Sequence, residues 1–344
     1  MNFVSDNQAG AHPAVLAAIA KASDGVTPGY GEDALTKAAE VAVQSVFDVD
    51  CAVFFVTTGT AANALALSTL CPPWGAIYCH QGAHIQNDEN TAVELYTGGA
   101  RMVGIPGEGG KPDPNLMRQH MQTATVHGVH NAKPAAISLS NVTESGTVYS
   151  PSDIRAYADL ATDYGLTLHM DGARFANAVI ATGASPAALT WQAGVDCLSF
   201  GLTKNGGIAT EAVVLFDTTL ADQFAYRRKR AGHLWSKQRF LAAQWLALLT
   251  DNLWLDNARH ANAMAQQLAA GFTVRSDCAL PWPVEANELF PVIPAVVRSA
   301  LRDAGLEFYD WPALPDMTRF VTHFGTEGFE IERALSAIAS AQVA

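Results

Sequence analysis

Basic residues are scarce in this sequence, which has 21 Lys and Arg against 33 Asp and Glu and a formal net charge of −12. A protein that binds nucleic acid needs a basic surface, so this balance argues against that class of partner. No stretch approaches the roughly 20 apolar residues that a membrane-spanning helix needs. The start MNFVSDNQAG lacks the basic and apolar regions of a signal peptide. We therefore expect a cytoplasmic protein with no membrane partner.

Cysteines are also few, odd in number and never spaced as Cys-x-x-Cys. Zinc sites need tighter clusters of ligands, so the spacing gives no reason to expect a metal. Reduced thiols explain these residues best. They are Cys51, Cys71, Cys79, Cys197 and Cys278.

The 344 residues are too many for one simple core, so we expect two lobes. Between residues 50 and 216, short β-rich runs alternate with helical stretches. This alternation predicts an α/β fold with a mostly parallel sheet covered on both faces. After residue 217 a long helical region precedes three short strands and two helices. We predict a large domain over residues 1–245 and a smaller C-terminal α/β domain over residues 246–344.

The segment TTGTAAN, residues 57–63, follows an apolar run and begins a helical stretch. Free backbone N–H groups at a helix start can hold a phosphate, which makes Gly59 and Thr60 candidate ligands. A plain strand-to-helix turn with a threonine cap explains the segment equally well.

The segment LTLHMDGARFANA, residues 166–178, places Asp171 directly after an apolar strand. Ligands of parallel sheets bind beyond the carboxyl ends of the strands, so Asp171 should face a crevice. Either it forms a structural ion pair with Arg174, or it faces a protonated ring nitrogen and leaves Arg174 free to bind a carboxylate in a bidentate fork.

Lys204 follows another such strand, DCLSF, on a turn that we expect to be mobile. A single lysine in this position is usually a surface residue. Together with Asp171 and the Gly59–Thr60 turn, it indicates pyridoxal phosphate, because a lysine amine can form a Schiff base with the cofactor aldehyde. His84, on the loop after the strand AIYC, is a candidate to stack on the cofactor ring. A surface role for His84, or competition from His80, stays open.

The sequence resembles the threonine aldolases of the fold-type-I pyridoxal phosphate enzymes, within the β-eliminating lyase group, with phenylserine aldolase as a near neighbour. The resemblance covers nearly the whole chain and implies an aspartate aminotransferase-like fold. The motifs that carry it are GYGED, TTGTAANALAL, AHIQNDE, VTESGTVYSP, HMDGARFANA, FGLTKNG and RFVTH.

The resemblance also implies roles for single residues around the cofactor. Lys204 would form the Schiff base, Asp171 would face the pyridine nitrogen, and His84 would stack on the ring. The phosphate would be held by Gly59, Thr60 and Thr203.

The resemblance further implies how the substrate is held. Its carboxylate would be bound by Ser5, Arg319 and Arg174, the last also close to the cofactor. His130 would lie near the β-hydroxyl group, although the neighbouring His127 competes for that position. Tyr30 and the segment RRKRAGHLWSKQ would come from a neighbouring subunit of a homo-oligomer, in this group commonly a tetramer built from dimers.

The implied activity is retro-aldol cleavage of L-threonine, L-allo-threonine and related β-hydroxy-α-amino acids to glycine and an aldehyde. The sequence does not decide whether His84, His130 or an ordered water removes the β-hydroxyl proton. The alternatives are a phenylserine-preferring aldolase and another pyridoxal phosphate lyase or racemase on the same scaffold. A regulator that binds DNA would need a helix-turn-helix extension and a basic face, and neither is present.

Overall fold

A seven-stranded sheet with the order β1-β7-β6-β5-β4-β2-β3 forms the centre of the molecule. It is seen in a computed structural model that describes residues 1–126 and 128–341. β7 runs antiparallel to both of its neighbours, whereas the other adjacent strands pair in parallel, as the alternating pattern predicts. The strands are β1 (Ala52–Val56), β2 (Gly75–His80), β3 (Arg101–Ile105), β4 (Lys133–Ser140), β5 (Thr167–Gly172), β6 (Cys197–Gly201) and β7 (Glu211–Leu215).

Helices connect these strands, and local sequence explains where they begin and end. In α7, Ser150 and Asp153 form a reciprocal capping box, Pro151 occupies the first turn, and Gly165 ends the helix with φ of 64°. The helices up to residue 182 are α1 (Pro13–Ala22), α2 (Ala34–Phe47), α3 (Gly59–Leu70), α4 (His84–Asn87), α5 (Ala92–Thr97), α6 (Pro114–Val126), α7 (Pro151–Tyr164) and α8 (Phe175–Thr182).

The C-terminal part forms a smaller α/β lobe, as predicted. Its three short strands form an antiparallel sheet with the order β8-β10-β9. These strands are β8 (Glu288–Leu289), β9 (Tyr309–Asp310) and β10 (Thr318–Val321). The remaining helices are α9 (Ala221–Arg230), α10 (Arg239–Leu249), α11 (Leu253–Thr273), α12 (Ala295–Asp303) and α13 (Gly328–Ser340).

Two hydrophobic cores meet along α11. Trp254 and Ala258 pack in the core of the large sheet, whereas Leu268 and Phe272 of the same helix pack in the core of the small lobe. Phe3 joins this second core from the other end of the chain. The two halves of α11 therefore pack in different cores. The predicted domain boundary after residue 245 stays a prediction. Within the described ranges, no helix is both long and apolar enough to cross a membrane.

The strand register brings polar residues to one edge of the large sheet. Because β7 is antiparallel, its first residue, Glu211, lies opposite the last residues of β1 and β6, Val56 and Gly201. The last residue of β4, Ser140, lies opposite Asp171 of β5. The turns that follow these strands therefore meet at this edge.

Candidate active site

A cavity of about 380 Å³ opens at this edge of the sheet. Its wall is formed by the ends of β4, β5 and β6, the start of β7, and the first turns of α3 and α4. The structure thereby brings together seven of the residues that the sequence identifies. They are Gly59, Thr60, His84, Asp171, Arg174, Thr203 and Lys204.

Asp171 is a buried carboxylate in the wall of this cavity, with 7% of its surface exposed. Its Oδ2 accepts a hydrogen bond of 2.8 Å from the side-chain amide of Asn63, and its Oδ1 accepts one of 2.9 Å from the backbone N–H of Ala173. None of the ion pairs among the described residues includes Asp171. A buried carboxylate in this position is suited to a cationic or N–H-donating ligand.

Arg174 is bound by two acidic side chains. Its Nε and Nη2 donate to the carboxylate of Asp6 at 2.7 and 3.0 Å, and its Nη1 lies 3.1 Å from Oε2 of Glu288. Burial alone would lower its pKa, but Asp6 and Glu288 hold the pKa of Arg174 above the usual range. Asp6 occupies one bidentate edge of the guanidinium, so Arg174 is not free in the way the sequence led us to expect, and its role in binding the substrate carboxylate stays a prediction. The alternative pairing with Asp171 is wrong.

Lys204 lies in a short 3₁₀ turn, Thr203–Asn205, directly after β6. The next residue, Asn205, connects this turn to α11: its side chain donates to the carbonyl of Trp254 at 2.8 Å, and its own carbonyl accepts from Asn257 at 2.9 Å. These bonds fix the backbone around Lys204, contrary to the expectation of a mobile turn. Movement of the lysine is left to its side chain.

The start of α3 combines both interpretations of the TTGTAAN segment. Thr58 caps the helix by accepting the N–H of Ala61 at 3.1 Å. Gly59 and Thr60 lie in the first turn, where backbone N–H groups have no acceptor inside the helix. A Cβ at Gly59 would have no atom within 4 Å, so there is open space beside this turn.

His84 forms a hydrogen-bonded ion pair with Glu89. Its Nδ1 lies 2.8 Å from Oε1 of Glu89, whose side chain is 1% exposed. Asn63 donates to the same oxygen at 2.9 Å and thereby links Glu89 to Asp171. The hydrogen bond to Glu89 raises the pKa of His84 despite the opposing effect of burial. His80, the alternative candidate, lines a different cavity.

Two further carboxyl groups line the cavity, Glu144 and Glu211. Burial raises the pKa of each to about 7, so both titrate in the neutral range. Glu144 accepts hydrogen bonds from the backbone N–H of His84 and the hydroxyl group of Ser140. Within the part of the chain that the structure describes, no group of three or more His, Cys, Asp or Glu residues is arranged to hold a metal ion.

The structure does not bring His130 to this cavity. His130 lies in a short 3₁₀ turn just before β4, at the end opposite to Ser140. The eight residues of β4 separate the two ends by about 23 Å, at roughly 3.3 Å per residue. His130 therefore does not reach the cavity of its own chain, and its place near the substrate hydroxyl stays a prediction. His127, the competing candidate, lies outside the described residues.

Three more predicted residues lie outside the lining of the cavity. Ser5 caps a short turn by accepting the N–H of Asn7, which does line the cavity. Arg319 donates to the carbonyl of Val4 at 2.9 Å, next to Ser5. Tyr30 is 52% exposed on the surface.

Sequence reasoning missed several polar residues of the cavity wall, and four of them have side chains that hydrogen-bond within the wall or titrate near neutrality. They are Asn63, Glu89, Glu144 and Glu211. The first three lie inside motifs already identified, and Glu211 begins an otherwise apolar strand. The sequence signal that could have identified them is a polar or acidic residue next to apolar residues that are expected to be buried.

Comparison with known proteins agrees with this architecture. The sequence profile of the family described as "Beta-eliminating lyase" matches residues 2–294. A protein of a Pseudomonas species named low specificity L-threonine aldolase is 42% identical over 89% of this chain and 88% of its own length. A structure of threonine aldolase from Leishmania major superposes with a TM-score of 0.92, at 28% identity over 98% of each chain.

The aspartate aminotransferase-like fold expected from the sequence is also confirmed. An aspartate aminotransferase structure from Rhodobacter sphaeroides matches with a TM-score of 0.71, at 16% identity over 98% of this chain and 91% of its own. At that identity the match shows the fold alone. The family profile and the Pseudomonas relative go further, and they show that this chain belongs to the beta-eliminating lyase family.

Proposed function

We propose that this protein is a pyridoxal phosphate-dependent aldolase that cleaves L-threonine, L-allo-threonine and related β-hydroxy-α-amino acids into glycine and an aldehyde. The observation that carries the proposal is one cavity that combines Lys204, the buried carboxylate of Asp171 and the open start of α3. The names of the Pseudomonas and Leishmania relatives support the choice of reaction.

The residues present fit pyridoxal phosphate. Asp171 places a buried carboxylate in the cavity wall and has no ion-pair partner among the described residues, which suits the ring nitrogen. Gly59 and Thr60 offer backbone donors beside open space, which suits the phosphate, and Thr203 lines the same cavity. Lys204 would supply the amine for the cofactor aldehyde, and His84 would supply the flat ring that packs on the cofactor.

When bound, pyridoxal phosphate supplies an aldehyde that captures an amine and a ring that withdraws electrons from the substrate Cα. The chain's own residues do the rest. Asp171 would hold a proton at the ring nitrogen, and the Glu89–His84 pair fixes the orientation of the imidazole. Burial of the cavity wall strengthens these electrostatic interactions.

We assign the substrate carboxylate to Arg319 and Ser5, with Arg174 in a supporting role. All three guanidinium nitrogens of Arg174 already contact Asp6 or Glu288, so Arg174 mainly holds the amino-terminal segment in place. That segment includes Val4, whose carbonyl binds Arg319. The carboxylate grip therefore depends on how the first residues of the chain are positioned.

The exposed position of Tyr30 supports a role in a neighbouring subunit of a homo-oligomer, which we propose to be a tetramer built from dimers. The ring of Tyr30 lies under Lys229, a residue of the basic segment that the resemblance assigns to the same neighbour. We further propose that the protein acts in the cytoplasm.

One observation favours substrates with a large β-substituent, such as phenylserine. A second cavity of about 600 Å³ adjoins the first at Glu144 and is lined by Trp282, Trp311 and Pro281. An aromatic wall of this kind suits an aryl group better than the methyl group of threonine.

The test is an absorption spectrum of purified protein with pyridoxal phosphate, followed by assays for glycine and acetaldehyde after addition of L-threonine. We expect a yellow protein that yields both products, and a Lys204→Ala variant that loses the visible band. A native protein that stays colourless after reconstitution would refute the cofactor assignment. A yellow protein that gives aldehyde from neither threonine nor phenylserine would redirect the assignment to elimination or racemisation.

A further inference from the structure

Glu144 occupies the wall between two cavities. It follows the end of β4 and lines both the cavity with Lys204 and the aromatic cavity with Trp282 and Trp311. A substrate whose amino acid part lies in the first cavity and whose β-substituent points toward the second would pass this side chain. The β-carbon and its hydroxyl group are the parts of the substrate that join these two halves.

The two oxygens of Glu144 have different environments. Oε1 accepts the backbone N–H of His84 at 2.8 Å and the hydroxyl group of Ser140 at 2.7 Å, which fixes the carboxyl group in place. Oε2 is shielded from solvent and has no hydrogen-bond partner among the described residues. A buried polar atom without a partner is costly, so a ligand hydroxyl that supplies the missing hydrogen bond would be favoured.

The charges around Glu144 suit a proton acceptor in the neutral range. Burial and, to a smaller extent, the charge of Asp171 of β5 raise its pKa, the bonds from Ser140 and His84 lower it, and the result is a pKa of about 7. Arg174 of the α8 start, Cys79 of β2 and Tyr149 also experience the charge of Glu144.

We propose that Glu144 is the catalytic residue that removes the β-hydroxyl proton during aldol cleavage. This inference rests on the proposed function. The hydroxyl O–H bond breaks and its proton moves to Oε2, while the released electron pair forms the second C–O bond of the aldehyde. The Cα–Cβ bond breaks, its electron pair stays with Cα, and a proton taken up at Cα completes glycine.

The histidine candidates have other places or tasks in this site. His130 lies at the far end of β4, and His84, whose Nδ1 binds Glu89, is the residue that we assign to packing on the cofactor ring. The imidazole of His84 is the flat group available for packing on the cofactor. Glu144, in contrast, has one carboxylate oxygen, Oε2, without a hydrogen-bond partner among the described residues.

The experiment compares the native enzyme with Glu144→Gln and with Glu94→Gln as a matched control. Glu94 also has a shielded Oε2 without a partner in the described chain, but it belongs to α5 and lines neither cavity. Each protein is assayed for aldehyde release from L-threonine and for exchange of the glycine Cα proton with deuterium from solvent. Exchange needs the cofactor, Lys204 and Asp171, but it needs no base for a β-hydroxyl group.

We expect Glu144→Gln to lose aldehyde release by about 10²–10⁴-fold, the usual contribution of a general base, and to keep most of its glycine exchange. In the native enzyme, release should increase with pH through the neutral range, and this dependence should vanish in Glu144→Gln. Infrared difference spectra of the protein without cofactor add a readout that needs no turnover. A protonated-carboxyl band that titrates near neutrality should weaken in Glu144→Gln and persist in Glu94→Gln. The part of the band that remains in Glu144→Gln should come from Glu211.

Aldehyde release near the native rate in Glu144→Gln would overturn the inference. Parallel loss of cleavage and exchange would also overturn it, because Glu144 would then support the site as a whole. A native enzyme that catalyses neither reaction would refute the proposed function itself and this inference with it.

Discussion

Asp6 binds Arg174 through two hydrogen bonds of 2.7 and 3.0 Å, although 168 residues separate them in the chain. The same carboxylate accepts a third bond of 3.0 Å from Asn287, just before β8. One buried carboxylate therefore joins the amino-terminal segment, the end of the large sheet and the small lobe. This junction places Val4 and Ser5 beside Arg319.

Asp6→Asn should destabilise the protein, because it leaves the guanidinium of Arg174 buried with one counter-charge fewer. Removing one partner of a buried ion pair typically costs about 3–5 kcal/mol. Urea denaturation should show that loss of stability. Steady-state kinetics should show a higher KM for the amino acid substrate. Asp24→Asn, at an exposed position, is the control and should leave both values unchanged. Equal stability of native protein and Asp6→Asn would mean that Glu288 alone satisfies Arg174.

Glu89→Gln should lower the pKa of His84, because the hydrogen bond that His84 donates to Glu89 is the largest cause of its raised value. The imidazole would then lose its proton at a lower pH than in the native protein. Nuclear magnetic resonance titration of the histidine ring protons, without cofactor, measures this shift directly. His323, whose pKa burial lowers, lies outside the cavity and should titrate as before. An unchanged titration of His84 would show that Glu89 does not control its charge.

Glu211→Gln should stabilise the protein at alkaline pH. In the folded chain Glu211 keeps its proton up to pH about 7, whereas unfolding returns its pKa to the model-peptide value of 4.5. Its contribution to the free energy of unfolding is therefore complete below pH 4.5 and is lost as the pH rises through 7. The total loss of stability is about 3 kcal/mol. Denaturation of protein without cofactor at pH 4 and pH 8, both roughly outside this window, should show less pH dependence in the variant. Parallel pH curves would contradict the prediction.

Trp282→Ala should reduce the preference for aryl substrates. Trp282 lines the aromatic cavity and makes no contribution to the wall around Lys204. Loss of part of an apolar pocket typically changes discrimination between two substrates by about 10–200-fold. The substitution should therefore lower kcat/KM for phenylserine much more than it lowers kcat/KM for L-threonine. Trp74→Ala, at a surface site 68% exposed, is the matched control. Equal losses for both substrates would mean that the aryl group does not enter this cavity.

Most of the fold could be predicted because the hydrophobic pattern is local. Apolar runs such as CAVFFV and DCLSF became β1 and β6, and the capping residues around Pro151 and Gly165 fixed the ends of α7. The antiparallel direction of β7 could not be predicted, because a buried strand has the same apolar pattern in either direction. That direction is what brings Glu211 to the cavity.

The site was predictable where residues lie at the carboxyl ends of strands, as Asp171 at the end of β5 and Lys204 just after β6 do. It was not predictable where contacts join distant segments. Nothing near Arg174 in the sequence indicates that Asp6 and Glu288 occupy its guanidinium. The distance of His130 from the cavity was not predictable either, because His130 precedes a strand of the sheet and the cavity lies where that strand ends.

The most direct test of this account is reduction of the cofactor-loaded protein with borohydride, followed by peptide mass mapping. Borohydride converts the bond between a lysine amine and pyridoxal phosphate into a stable link, so the modified peptide identifies the lysine. We predict the phosphopyridoxyl mass on Lys204 and on no other lysine, with loss of the label when L-threonine is added before reduction. A label on Lys237 or another surface lysine, with Lys204 unmodified, would contradict the account.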